Sequence, residues 1–272
     1  FSEPCLDSFF MQYLKNKSVK EALESIKELG PFDEDIYLDC HPVTHAVGRQ
    51  AFLMKEEVDK AFNACDRSCQ SGCYHGVLEQ FMITEGYINS DIHRINFSLV
   101  IEAACNKNST HLLRFQCLHG MGHGLLYMLD YNLPEALEIC DKSASTWDAE
   151  SCYTGVFMEN VAAADEEKRF IRNGEFHFPC NILDERYKEQ CYLMQTSIMD
   201  EFGLSEQEIV EECRKAGGYR QKCVQSLGRD LGNDARDGDY SYVAGICSRL
   251  EQDLKESCIA GVAYALADYT WD

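Results

Sequence analysis

Ile101-Glu-Ala-Ala-Cys105-Asn-Lys-Asn-Ser-Thr-His-Leu-Leu-Arg-Phe-Gln-Cys117-Leu-His119-Gly-Met-Gly-His123 holds the unit from which the chain is built. An amphipathic stretch ends in a cysteine, a polar segment follows, and a second cysteine opens a small-residue, apolar stretch. The same ending recurs at Cys65, Cys140, Cys213 and Cys247, and the same opening at Cys73, Cys152, Cys191, Cys223 and Cys258. Apolar residues at helical spacing on both sides predict two helices per unit. The opening cysteines, counted from Cys40, recur every 32 to 44 residues, the period of helical-hairpin repeats.

The predicted fold is therefore all-α: an array of about seven helical hairpins, an α/α solenoid or curved stack, stapled by short-range disulfides. It is similar to tetratricopeptide-type arrays in period alone, without their signature residues. The helix after each opening cysteine often carries glycine three residues on, at Gly76, Gly120, Gly155 and Gly261. Glycine inside a helix costs about 1 kcal/mol against alanine, so a recurring glycine predicts a recurring close approach between these helices, which would line the inner layer. Expected staples are Cys105–Cys117, Cys140–Cys152, Cys180–Cys191, Cys213–Cys223 and Cys247–Cys258. Each closes a loop of roughly a dozen residues, about 3 kcal/mol in the chain-entropy account. Cys65–Cys73 is the analogous pair, with Cys69 competing; Cys5 is expected to reach Cys40. Fifteen cysteines leave one over, and Cys69 is the candidate.

Residues 1–272 read as a single repeat domain, with 1–175 carrying the chemistry and 176–272 serving as scaffold. The formal charge of −21 disfavours nucleic acid and anionic lipid as partners. No apolar run reaches the roughly 18 residues of a membrane span. Wide, regular cysteine spacing without Cys-x-x-Cys points to disulfides and an oxidising compartment, extracellular or periplasmic. The start, Phe1-Ser-Glu-Pro-Cys5, is expected to be a mature or trimmed end. Sequons at Asn16, Asn96 and Asn108 fit a secreted glycoprotein. The segment Asn233–Asp239 lacks the ligand alternation of an EF-hand and reads as an acidic turn. The apolar end Ala260-Gly-Val-Ala-Tyr-Ala-Leu-Ala267 is a candidate for self-association.

Five of eight histidines fall just after cysteines, in Cys40-His41-Pro-Val-Thr-His45, Cys73-Tyr-His75-Gly-Val-Leu-Glu79 and Cys117-Leu-His119-Gly-Met-Gly-His123. Residues i and i+4 share a helix face, so each segment presents two metal-ligand side chains. Later units carry Thr154 and Met158, Gln225 and Arg229, or Ala260 and Tyr264 at comparable places. The candidate ligands are His41, His45, His75, Glu79, His119 and His123, enough for one or two transition-metal ions. Nitrogen-rich ligation favours copper or zinc, with iron next. Glu79 is a ligand or a general base, Glu159 a catalytic or orienting carboxylate, and Asn160 a further orienting group. His93, His111 and His177 are expected in exposed inter-helix segments.

The function expected is that of a secreted metalloprotein, an enzyme of copper-type oxidation or zinc-type hydrolysis on a small-molecule or extracellular substrate. The alternatives are a non-catalytic metal carrier, an extracellular self-assembling scaffold, and a b-type haem protein. No His-Glu-x-x-His or Gly-x-Ser-x-Gly is present, which disfavours zincin proteases and serine hydrolases.

Overall fold

The computed structural model describes residues 3–30, 40–66, 68–87, 95–105, 110–163, 166–235 and 240–270. Among them are fifteen α-helices and no strand. No described helix is long and apolar enough to cross a membrane. The chain divides into two compact units, one of residues 1–129 and 138–155, the other of 130–137 and 156–272.

In the first unit α1 (Glu3–Tyr13) and α2 (Val19–Leu29) precede α3 (Cys40–Lys55), and both pack on it. Ser18 and Glu21 form a capping box that fixes the start of α2. The short α4 (Val58–Phe62) touches both α3 and α5 (Ser68–Thr84). Then come α6 (Phe97–Ala104) and α7 (His111–Met128), followed by α8 (Leu133–Cys140) and α9 (Thr146–Ala162), each of which is divided between the two units. The core includes Leu23, Val47, Val77, Leu78, Leu118, Met121 and Leu125, each at most 1% exposed. Helix α7 is buried at every position from Gln116 to His123, so its polar members must find partners inside the protein.

Helices α3 and α5 run parallel: His41 meets Gly72, His45 meets Gly76, and Arg49 meets Glu79. Two glycines let their backbones touch. A Cβ on Gly48 would lie 2.0 Å from the Cys73 carbonyl oxygen, and one on Gly76 would lie 1.9 Å from that of His45. The second unit repeats this pair. There α10 (Glu185–Tyr192), α11 (Gln195–Glu201), α12 (Glu206–Lys215), α13 (Arg220–Asp234), α14 (Tyr240–Ser248) and α15 (Gln252–Thr270) follow in order. Gly228 of α13 lies against the Cys258 carbonyl, and Gly261 of α15 against that of Gln225. The close approach predicted from the recurring glycine is thus present in both units. Positions 236–239 of the acidic turn lie outside the described residues.

Seven disulfides form, among them all five expected staples and Cys65–Cys73. Two expectations fail. Cys40 pairs with Cys69, not Cys5, and Cys5 is the free, exposed cysteine. The reason lies in the packing of α3 on α5, whose parallel register places the Cα atoms of Cys40 and Cys69 5.5 Å apart, within disulfide reach. Seven disulfides suit an oxidising compartment.

Candidate metal centre

The packing of α3 on α5 also sets the first half of the histidine cluster. His41 and His45 stand one turn apart on α3 with their Nε2 atoms 3.1 Å from each other. His41 Nδ1 lies 2.8 Å from the Cys69 carbonyl oxygen. A carbonyl only accepts, so Nδ1 carries the proton and Nε2 keeps its lone pair. His45 Nδ1 faces Glu79 Oε2 at 3.6 Å. Arg49, buried one turn further along α3, donates to the same oxygen at 2.9 Å and to Asp7. Burial raises the Glu79 pKa, but the nearby His45 ring and the Arg49 charge and hydrogen bond outweigh it and hold the carboxyl below its usual range. Glu79 is therefore an ionised carboxylate behind His45, on the side away from His41.

Helix α7 builds the second half in the same way. His119 Nε2 and His123 Nε2 are 3.2 Å apart. His119 Nδ1 is 2.7 Å from Thr154 Oγ1, and that hydroxyl gives its single proton to the Ser151 carbonyl. His119 Nδ1 must then donate, which leaves its Nε2 lone pair directed at His123. Gly155 beside Thr154 brings α9 against α7: a Cβ there would sit 1.8 Å from the His119 carbonyl oxygen. Phe115 stacks on His119.

His75 of α5 lies between the halves. Its ring centroid is 5.2 and 5.4 Å from those of His41 and His45, and 5.4 and 4.5 Å from those of His119 and His123. It is 3% exposed, and neither ring nitrogen has a hydrogen-bond partner. Helix α5 meets α7 through the Leu78 side chain against Gly120, without the second glycine that draws other pairs together. Burial, then the neighbouring imidazoles with His123 first, push the His75 pKa well below 6.5. Burial and then His123 do the same to His119. These rings are neutral, the form that ligates.

Two triads result, His41/His45/His75 and His75/His119/His123, in each of which the ligand atoms lie within 4.8 Å of one another. Either could hold a metal ion. Donors on a tetrahedral ion at 2.0–2.1 Å lie about 3.3 Å apart, close to both Nε2–Nε2 separations. The chain matches no protein-family model, no curated protein and no solved structure. The chemistry of the centre itself carries the functional reading.

All five candidate histidines come together, and Glu79 stands behind one of them. Glu159 belongs to the second unit, where it accepts from the Tyr131 hydroxyl at 2.9 Å. Asn160, also in that unit, accepts from the Phe170 backbone. His111 is exposed but opens α7. His177, expected exposed, is half-buried against Tyr192, with Nε2 3.4 Å from Glu212. His93 lies outside the described residues. Sequence reasoning missed Thr154, the Cys69 carbonyl and Arg49 as site groups, although Thr154 occupies the His75 and His119 place in its unit.

Proposed function

We propose that this chain is a metalloprotein of an extracellular or periplasmic compartment whose five histidines hold transition-metal ions for a chemical reaction. One observation carries the reading. Lone pairs on His41 and His119 are turned by outward Nδ1 bonds toward the Nε2 atoms of His45 and His123, with unpartnered His75 between them. A hydrogen-bonded polar layer pairs His41 with His45 and His119 with His123 but leaves His75 bare, and a buried imidazole with neither nitrogen satisfied costs roughly 1–3 kcal/mol or more. The second unit supplies the contrast. Thr196, Ser197, Ser226, Arg229 and Asp230 there form a satisfied polar network.

Three nitrogens on one ion leave a coordination position open, the pattern of catalytic sites. His41 and His45 are half-buried, so solvent reaches that side, which supports an enzyme over a sealed carrier. In that role a bound ion would polarise a ligand oxygen, activate water or cycle electrons. The chain's own part is to fix the ring tautomers through Cys69, Thr154 and Glu79. Copper, zinc and iron all suit imidazole donors. His75 suits haem poorly as one of two axial ligands: rings on opposite sides of one ion, at about 2.0 Å per bond, need centroids about 6 Å apart, and His75 stands 4.5 to 5.4 Å from each of the other four. We also propose that the whole chain is an array of helical hairpins, which the glycine pair shared by both units supports.

The test is metal analysis by plasma mass spectrometry on untagged protein beside a His119→Ala/His123→Ala variant. Near-stoichiometric copper, zinc or iron that the variant loses is the expected result. Protein that stays metal-free after incubation with all three ions would end the reading.

A further inference from the structure

We propose that His75 bridges two metal ions, one ring nitrogen to each. This rests on the metalloprotein reading above and specifies its nuclearity. In His41, His45 and His119 the Nδ1 atom faces an outer group, and the Nε2 atom faces the cluster. That is how a terminal histidine ligand is built: one nitrogen for the metal, the other held by a carbonyl, hydroxyl or carboxylate. His75 has no such outer partner on either nitrogen, although both are buried. A second metal ion satisfies the nitrogen that a single ion leaves bare.

The donor count agrees. Three nitrogen ligands and one open position fill a four-coordinate ion, so one ion takes one triad. The two triads have only His75 in common. Filling both requires its two nitrogens to serve two ions, which then lie about 6 Å apart across the ring. Binding the second ion displaces the remaining ring proton to solvent and leaves His75 as an imidazolate, so one proton is released and no electron moves. The sites differ in access. The triad on α7 is buried throughout, whereas His41 and His45 are half-buried. The ion on the α3 side is the one that meets solvent and small ligands.

Copper(II) is the probe. Metal-free protein carrying Cys5→Ser, which removes the exposed thiol, is loaded with copper sulfate and desalted. Copper per chain is then measured beside the low-temperature electron paramagnetic resonance spin count. The expected result is about two copper ions per chain with a spin count well below two. Electrons on ions sharing one imidazolate couple, and acid denaturation should restore the full count. In His75→Ala, each copper that remains should give its full, isolated signal. One copper per chain in the Cys5→Ser protein, or two with undiminished intensity, would overturn the bridge and leave the metalloprotein reading standing. Binding of no copper, zinc or iron would remove both. The bridge is decided on the Cys5→Ser protein even where His75→Ala does not fold.

Discussion

A neutral imidazole has one proton for two nitrogens, and its position decides whether the ring can ligate. Thr154 decides it for His119, because its hydroxyl proton is already given to Ser151. Thr154→Val keeps the shape and removes the acceptor, so metal affinity should fall roughly 10- to 100-fold. Competition with a chromogenic chelator measures this, with helicity unchanged as the control; unchanged affinity would leave Thr154 without an orienting role. The metal-free protein should also respond to pH. Burial, then neighbouring rings, keep His75 and His119 neutral well below 6.5, while the unfolded chain takes up a proton near 6.5. Above that value neither state is protonated. Below it only the unfolded state is, so stability falls with pH by up to about 1.4 kcal/mol per unit for each ring. Urea melts near pH 7.5 and 5.5 should show the lower midpoint at acid pH, and equal midpoints would contradict the neutral assignment.

At the scale of elements, the glycine pairs hold the site's rings at their spacing. Gly76→Ala places a Cβ on the His45 carbonyl oxygen, and the clash can relax only if α3 and α5 separate. Overpacking of this kind costs about 1–3 kcal/mol and moves His45 away from His75. Lowered thermal stability together with weakened metal binding is expected, and loss of neither would show the packing there to be slack. The Arg114–Asp148 pair joins α7 to the start of α9 through two bonds of 2.7 and 2.8 Å, with both side chains largely buried. Asp148→Ala leaves the Arg114 guanidinium with the Cys105 carbonyl as a partner and should cost about 1–3 kcal/mol by chemical denaturation. Helical spacing and the glycine three places after Cys73, Cys117, Cys152 and Cys258 made these helices and their close approach legible in the sequence. Of the partner glycines, Gly122 and Gly228 stand five places after Cys117 and Cys223 but Gly48 stands eight after Cys40, so their role as partners emerges only from the parallel register. Leu78 was equally silent: a leucine where other pairs have glycine looks like ordinary core, yet it marks the packing beside His75.

Over the whole molecule, short-range staples were readable because each closes a loop that the repeat itself defines. Cys40–Cys69 spans 29 residues and follows from helix packing instead, so sequence spacing alone misassigned it to Cys5. The two pairings predict different thiol chemistry. With Cys40 bonded to Cys69, Ellman's reagent should find about one thiol per chain without reductant, and the same number in denaturant, because Cys5 is already exposed. Cys5→Ser should then titrate no thiol and melt at the same temperature as the parent. A Cys5–Cys40 bond would behave differently: Cys5→Ser would strand Cys40 beside an unpaired Cys69, two thiols would appear, and the melting point would drop. Reduction of all seven bonds is the complementary measurement. Staples worth about 3 kcal/mol each exceed together the 5–15 kcal/mol that domains usually hold in reserve. Reduced protein should therefore lose its helical signal cooperatively at room temperature, and retention of full helicity would mean that the core alone sustains the fold.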